Sequence, residues 1–272
     1  MSSSLDQILA ATRRRVAETK AAADLRQLEW HAGNHVPRGF RRILESVSQG
    51  GIAVIAELKP ASPSRGLIRP DFHAESLARE LEAAGAAALS VLTDPEFFQG
   101  SLDNLQRAST STNLPCLRKD FIVDEFQLLE ARANGADAIL LIVAALSQAE
   151  LKRLSHRASE YGLDVLCEVH DAEELQPAVD AGCTLIGVNN RNLRTFQVDL
   201  ETAMCLENAI PKNAFRVAES GIHSGADIAR LVSAGYQAFL IGESLMKAKS
   251  PGDALKALLA DAQRELDTPV KK

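Results

Sequence analysis

The chain has 272 residues, 46% of them hydrophobic, 24% charged and 4% aromatic, which is ordinary globular composition and enough length for one large α/β domain or two small ones. Thirty basic residues against 36 acidic ones give a formal charge of -6 and a pI near 5.6, which argues against nucleic acid or an anionic membrane surface as partner and favours a small molecule. Cys116, Cys167, Cys183 and Cys205 lie far apart with no Cys-x-x-Cys, so neither a disulfide framework nor a zinc site is signalled, and a reducing, cytoplasmic setting is expected.

No apolar run reaches the ~18 residues needed to span a bilayer. At the amino terminus Arg13 to Arg15 follow the apolar residues instead of preceding them, the reverse of a signal peptide, and Asp6 and Glu18 count against an organelle transit peptide. Leu5, Ile8, Leu9, Thr12 and Val16 recur at helical spacing, predicting an amphipathic helix to about Ala23 with Ser4 as its N-cap. Asp24 to Gly50 read as a short helix, a turn and a second helix. His31 and His35 have the spacing of metal ligands, but Gly33 and Asn34 lie between them without Cys or carboxylate partners, so a surface or turn reading is preferred and no metal is expected. Residues 1–50 are therefore taken as a helical extension packed on a main domain at 51–266, with 267–272 as a disordered tail.

The stretch Ile52-Ala-Val-Ile-Ala-Glu-Leu-Lys-Pro-Ala-Ser-Pro-Ser-Arg-Gly66 is an apolar strand ending in charge, followed by a loop whose prolines and glycine stop regular structure. Strand alternation puts Ile55, Glu57 and Lys59 on one face. Beyond it, four segments look alike, with Gly85, Gly135, Gly182 and Gly235 each ending a helix and opening a strand, about 50 residues apart. Further strands fall between them, at 114–119, 163–169 and 215–219. Helical patterns separate the strands, among them Glu75 to Ala84, Glu125 to Ala133, Gln148 to Glu160, Ala172 to Ala181, Asp199 to Ala209, Ala226 to Ala234 and Asp253 to Leu266. Eight strands alternating with about eight helices predict an α/β fold, a (β/α)8 TIM barrel with an N-terminal helical extension. No Gly-x-Gly-x-x-Gly follows the first strand, so a dinucleotide-binding sheet lacks its fingerprint.

The first, third, fifth and seventh strands end in Glu57 with Lys59, Lys119, Glu168 and Glu219. In a barrel, alternate strands supply one layer of inward side chains, and active sites lie at the strands' carboxyl ends, so these five charges are expected to converge at one mouth. The seventh and eighth strands close in Glu219-Ser-Gly-Ile and Ile241-Gly-Glu-Ser, where backbone N–H groups at Gly221, Gly242 and Glu243 suit a phosphate.

Glu57-Leu-Lys-Pro-Ala-Ser-Pro-Ser, Leu117-Arg-Lys-Asp-Phe121, Cys167-Glu-Val-His-Asp171, Gly187-Val-Asn-Asn-Arg-Asn-Leu193, Ala218-Glu-Ser-Gly-Ile222 and Leu240-Ile-Gly-Glu-Ser244 together resemble the strand-end motifs of the indole-3-glycerol phosphate synthase family. The resemblance spans nearly the whole chain. It implies decarboxylation and ring closure of 1-(2-carboxyphenylamino)-1-deoxyribulose 5-phosphate, with loss of CO2 and water and no cofactor. It also implies Lys119 as general acid, Glu168 and Glu57 as candidates for the dehydration step, and Lys59 on the anthranilate carboxylate, the division among them being left open by the sequence. A desolvated Lys119 near Lys59 is expected to move toward a useful pKa. By the same resemblance Asn189, Arg191 and Glu219 complete the polar network, Ser62, Ser220, Gly221, Gly242 and the backbone of Glu243 form the phosphate cradle, and Phe98, Phe121, Leu140, Leu193 and Leu240 surround the anthranilate ring. Pro60 and Asn190 are mild departures from the family pattern.

The alternatives are another phosphate-binding barrel enzyme, either like phosphoribosylanthranilate isomerase or a Schiff-base aldolase using Lys119, and a non-catalytic phosphate-ligand sensor. The expected partner is a phosphorylated small molecule, with no nucleic acid or membrane, and the expected assembly is a monomer or weak homo-oligomer.

Overall fold

The runs Ala-Val-Ile-Ala-Glu-Leu and Ala-Ile-Leu-Leu-Ile carry apolar side chains on both alternating faces, as a strand covered on both sides requires, and each is buried along its whole length. The computed structural model describes residues 4–192 and 195–268. Among these, eight strands are consecutive around a closed parallel barrel: β1 (Ala53–Leu58), β2 (Ala88–Leu92), β3 (Cys116–Lys119), β4 (Ala138–Ile142), β5 (Asp164–Val169), β6 (Leu185–Asn189), β7 (Phe215–Glu219) and β8 (Ala238–Ile241). Closure comes from β1, which pairs with β2 through Ile55↔Ala88 and with β8 through Ala53↔Ala238. The expected (β/α)8 TIM barrel is therefore the fold.

The helices before β2, β4, β6 and β8 each stop at a glycine of the repeat. Gly85, Gly135, Gly182 and Gly235 all have φ between 80 and 96°, a left-handed conformation that glycine adopts without a Cβ clash. Just beyond them Ala86, Ala136, Cys183 and Tyr236 donate their N–H groups to carbonyls five residues back, satisfying the helix ends. One helix is shorter than its pattern predicts. Instead of 199–209 it spans only Glu201–Leu206, because Asp199 folds back to accept from the Glu201 N–H and Pro211 breaks the following turn.

Three helices precede the barrel: α1 (Ser4–Ala22), α2 (Leu25–Asn34) and α3 (Phe40–Ser48). The first lies across the carboxyl ends of the strands, where Arg15 pairs with Asp94 and Asp120, and Lys20 with Asp124. The second packs along α6 (Phe126–Ala133) on the outer wall. The third closes the opposite end, its fully buried Phe40 and Leu44 sharing a cluster with Ala53, Ala87, Leu185, Phe215 and Ala238 at the strand starts. Arg38, between α2 and α3, fastens this wrap: its backbone N–H, Nε and Nη2 all donate to the fully buried Asp137, which also accepts from the Cys116 N–H. His35 Nε2 sits 3.4 Å from the same carboxylate, in the turn after α2. The last helix, α12 (Pro251–Asp267), carries regular structure one residue into the segment expected to be a tail, and residues 269–272 lie outside the described residues.

Two of the cysteines are paired, although their spacing signals no disulfide. Cys167 on β5 and Cys183, in the turn before β6, form a disulfide across 6.3 Å between Cα atoms. Sixteen residues separate them in sequence, and only the crossover through α8 (Ala172–Asp180) brings them side by side. Cys116 and Cys205 are free.

Candidate active site

Inward side chains stack two residues apart along each strand. Ile55, Leu117, Leu166 and Val217 from the odd strands belong to the cluster filling the barrel. One step toward the carboxyl ends, the same four strands supply Glu57, Lys119, Glu168 and Glu219, and Lys59 follows on the same face as Glu57. All five line one cavity of about 230 Å³. The sequence-level expectation that five charges converge is what the geometry shows. Glu57, Glu168 and Glu219 are each at most 3% exposed.

These charges are arranged as two groups. Lys59 forms an ion pair with Glu57. Lys119 Nζ lies 2.7 Å from Glu168 Oε2 and 2.8 Å from Glu219 Oε2, so one ammonium bridges two carboxylates. Burial by itself would lower the Lys119 pKa, but Glu168, Glu219 and Glu57 outweigh it and hold the ammonium well above its ordinary value. This reverses the expected direction. Three carboxylates close at hand stabilise the charge more than burial penalises it.

The two glutamates on Lys119 are driven apart. Burial raises both, yet Glu168 ends well below the usual carboxylate range because Lys119 and His170 both face it. Glu219 rises to about 7, through burial and the nearby Glu168 charge, with Lys119 only partly offsetting them. Its Oε1 is buried and has no hydrogen-bond partner among the described residues. A pair of similar groups with separated pKa values is what acid–base chemistry near neutral pH requires.

Two glycines make room for these carboxylates. A Cβ on Gly187 of β6 would stand 2.1 Å from Glu219 Oε1, and one on Gly242, just past β8, would stand 2.5 Å from Glu57 Oε1. From the sequence Gly242 belongs to a phosphate cradle and Gly187 has no evident role, since neither glycine is near its carboxylate in the chain.

The rim is built by loops. Phe98 and Phe121 face each other with ring centroids 6.4 Å apart, and with Leu140 and Leu240 they give the cavity an apolar wall, to which Leu5 and Ile8 of α1 contribute. Ser62, Asn189, Arg191, Ser220, Gly221, Gly242 and Glu243 also line it. Leu193 lies outside the described residues. Ser220 and Gly221 are consecutive left-handed residues, with φ of 66 and 79°, and such strain at a non-glycine residue clusters at ligand sites. Gly242 is the N-cap of a short helix, α11 (Glu243–Lys247), that has no capping side chain. The Ser62 hydroxyl is buried without a hydrogen-bond partner among the described residues.

The Glu243 side chain is turned to Arg65 Nε at 3.1 Å, to Arg191 Nη2 at 3.3 Å and to Lys247. Arg65 and Lys247 were not singled out from the sequence, because nothing local ties them to the loop after β8. Nor was the network under Lys119, in which Arg118 points outward to Asp120, Thr93 and the Gln127 carbonyl, while Asp120 reaches Arg15 of α1. Alternation along β3 was the available signal, since Arg118 and Lys119 must face opposite ways. Asn190 ties β6 to the Ser220 carbonyl and accepts from the Ala203 N–H. Among the described residues no three His, Cys, Asp or Glu side chains are grouped to hold a metal ion.

A parallel eightfold barrel with lysine–glutamate pairs at the strand ends, beside polar loops after β7 and β8, defines a barrel enzyme built for an anionic small molecule. The sequence matches the family described as indole-3-glycerol phosphate synthase over residues 5–258. It is 61% identical over 259 residues to the indole-3-glycerol phosphate synthase of Koribacter versatilis (strain Ellin345), covering 95% of this chain and 100% of that protein. The chain belongs to the indole-3-glycerol phosphate synthase family, decarboxylating lyases of tryptophan biosynthesis. Solved structures at low identity share its fold. A mandelate oxidase aligns with a TM-score of 0.61 at 17% identity, covering 89% of this chain and 93% of that one. A thiamine phosphate pyrophosphorylase from Pyrococcus furiosus gives 0.58 at 15%, covering 79% and 97%.

Proposed function

We propose a division of labour for the conversion of 1-(2-carboxyphenylamino)-1-deoxyribulose 5-phosphate to indole-3-glycerol phosphate, the reaction of this family, carried by one observation: Lys119 bridges two glutamates whose proton affinities differ. The anthranilate ring lies against Phe98, Phe121, Leu140 and Leu240. Lys59 binds its carboxylate, with Glu57 fixing the ammonium. The phosphate sits on the backbone of Ser220, Gly221, Gly242 and Glu243, with Ser62 and Arg191 beside it.

Lys119 carries the proton for the sugar carbonyl as the aromatic carbon attacks, and CO2 leaves from that carbon. Held charged by its carboxylates, Lys119 enters the step already protonated, and Glu219, with a pKa of about 7 and 2.8 Å away, is placed to return the proton. Glu168, kept ionised, is the base that removes a proton from the ring methylene carbon during dehydration, while the hydroxyl on the neighbouring carbon leaves as water with a proton from the recharged Lys119. Asn189 orients the groups between β6 and β7. No cofactor has a role in this scheme.

The protein is assigned to the cytoplasm as a monomer or weak homo-oligomer. No described helix is long and apolar enough to cross a membrane. Adding the synthetic substrate to purified protein and following indole fluorescence tests the reaction. Product at a rate proportional to enzyme is expected, whereas borohydride-trapped covalent adduct on Lys119 without indole product would favour the aldolase reading.

A further inference from the structure

His170 lies two residues beyond Glu168, on the same face of the chain as β5 ends, and is not among the residues lining the cavity. Its side chain is 11% exposed. Nδ1 stands 3.0 Å from Glu174 Oε2, and the same oxygen accepts from the His170 backbone N–H at 2.8 Å. Glu174 is fixed in turn in the first turn of α8, where its own N–H donates to the Asp171 cap. The ring is thereby clamped with Nε2 toward Glu168 Oε1 at 3.3 Å, an ion-pair approach that is not a hydrogen bond. Glu168 thus has a cation on each oxygen, His170 on Oε1 and Lys119 on Oε2, whereas Glu219 has Lys119 on Oε2 and, among the described residues, no partner on Oε1.

We propose that His170, clamped by Glu174, is the positioning residue that makes Glu168 and not Glu219 the base of the pair sharing Lys119, by fixing the Glu168 carboxylate from outside the cavity lining. The two glutamates are otherwise equivalent by burial and by their contact with the lysine, at 2.7 and 2.8 Å. What distinguishes them is the second cation. Burial lowers the His170 pKa, but Glu168 and Glu174 outweigh it and raise it to about 10, which favours the imidazolium near neutral pH. The charged groups around it are Glu168 on β5 and Glu174 on α8, with Lys119 on β3 and Glu219 on β7 reached through Glu168. The inference rests on the base role assigned to Glu168.

Two readouts separate it from that assignment. In the absence of substrate, ¹⁵N-imidazole NMR of the intact protein is expected to show both His170 nitrogens protonated at pH 8, with titration moving to lower pH in Glu168→Gln. A neutral ring at pH 8 would overturn the proposal whatever the reaction proves to be. With substrate, after the parent's turnover has been established, His170→Leu is expected to lower kcat at pH 7 at least tenfold with KM within twofold, and to move the acidic limb of kcat upward, because Glu168 loses one of the cations that keep it ionised. Glu174→Gln, a change at a more exposed position, should act in the same direction by a smaller factor. In a Glu168→Gln background His170→Leu should cause no further loss, since it acts only through that carboxylate. Equal losses in both backgrounds, or parental kcat and acidic limb in both His170→Leu and Glu174→Gln, would show that His170 is merely structural.

Discussion

At the scale of single residues, the site turns on how one ammonium is shared. Lys119 is held charged by carboxylates on three other strands, so its replacement removes both the proposed proton donor and the counterion of two buried glutamates. Lys119→Met is expected to lower kcat by ~10² to 10⁴, measured under saturating substrate on protein shown by circular dichroism to be folded. Glu219 makes a prediction in the opposite sense for stability. Its folded pKa of about 7 lies above the ordinary 4.5, so between those values the folded state binds the extra proton and stability falls as pH rises through about 7. Glu219→Gln removes this cost. Its Tm should exceed the parent's at pH 8 and approach it near pH 5, while its turnover drops. A Tm difference that does not depend on pH would mean Glu219 is not raised. Glu168, depressed by Lys119 and His170, contributes in the other direction, with stability present above its ordinary pKa and lost as pH falls.

At the scale of elements, β6 and the α2–α3 connection each do one thing that a sequence pattern does not reveal. β6 gives up a side chain at Gly187 so that Glu219 of β7 has room. Gly187→Ala is expected to push that carboxylate off Lys119, lowering kcat at least tenfold and stability by ~1–3 kcal/mol, read by steady-state kinetics and urea denaturation. Unchanged kcat would mean that Glu219 can shift without consequence. At the far end of the barrel, Arg38 neutralises Asp137, whose pKa stays below the ordinary value because His35 and Arg38 outweigh burial. Arg38→Met takes the guanidinium from a buried carboxylate, leaving it only His35 and backbone N–H groups, and should cost ~3–5 kcal/mol while kcat per folded molecule is kept. Asp137→Asn in the same chain should recover part of the loss.

At the scale of the whole molecule, the N-terminal extension is a strap from mouth to floor. Its first helix brings Leu5 and Ile8 to the cavity and Arg15 to the network beneath Lys119, and its third helix plugs the opposite end. Deleting residues 1–22 leaves α3 and the floor in place but opens the apolar wall. The shortened protein is expected to keep the far-ultraviolet dichroism of the barrel and to show KM raised by about tenfold, the effect of losing ~1.4 kcal/mol of contact. A parental KM would show that α1 is only packing.

Much of this was legible in the chain itself. The helix-ending glycines 50 residues apart, the short apolar strands and the charged residue closing each odd strand determine a (β/α)8 barrel with Glu57, Lys119, Glu168 and Glu219 at one mouth, because period and alternation depend only on local backbone geometry. Local geometry fixes which way a side chain faces, but not what it meets. Lys119 finds Glu168 and Glu219 at sequence separations of 49 and 100. Those contacts, not the residue types, reverse its expected pKa shift and split the two glutamates. The seats at Gly187 and Gly242, the Cys167–Cys183 bridge, the Glu243 cluster with Arg65 and Lys247, and the clamp on His170 were likewise decided only in three dimensions. Each joins segments that no sequence period relates, so their meeting is settled only when the barrel closes.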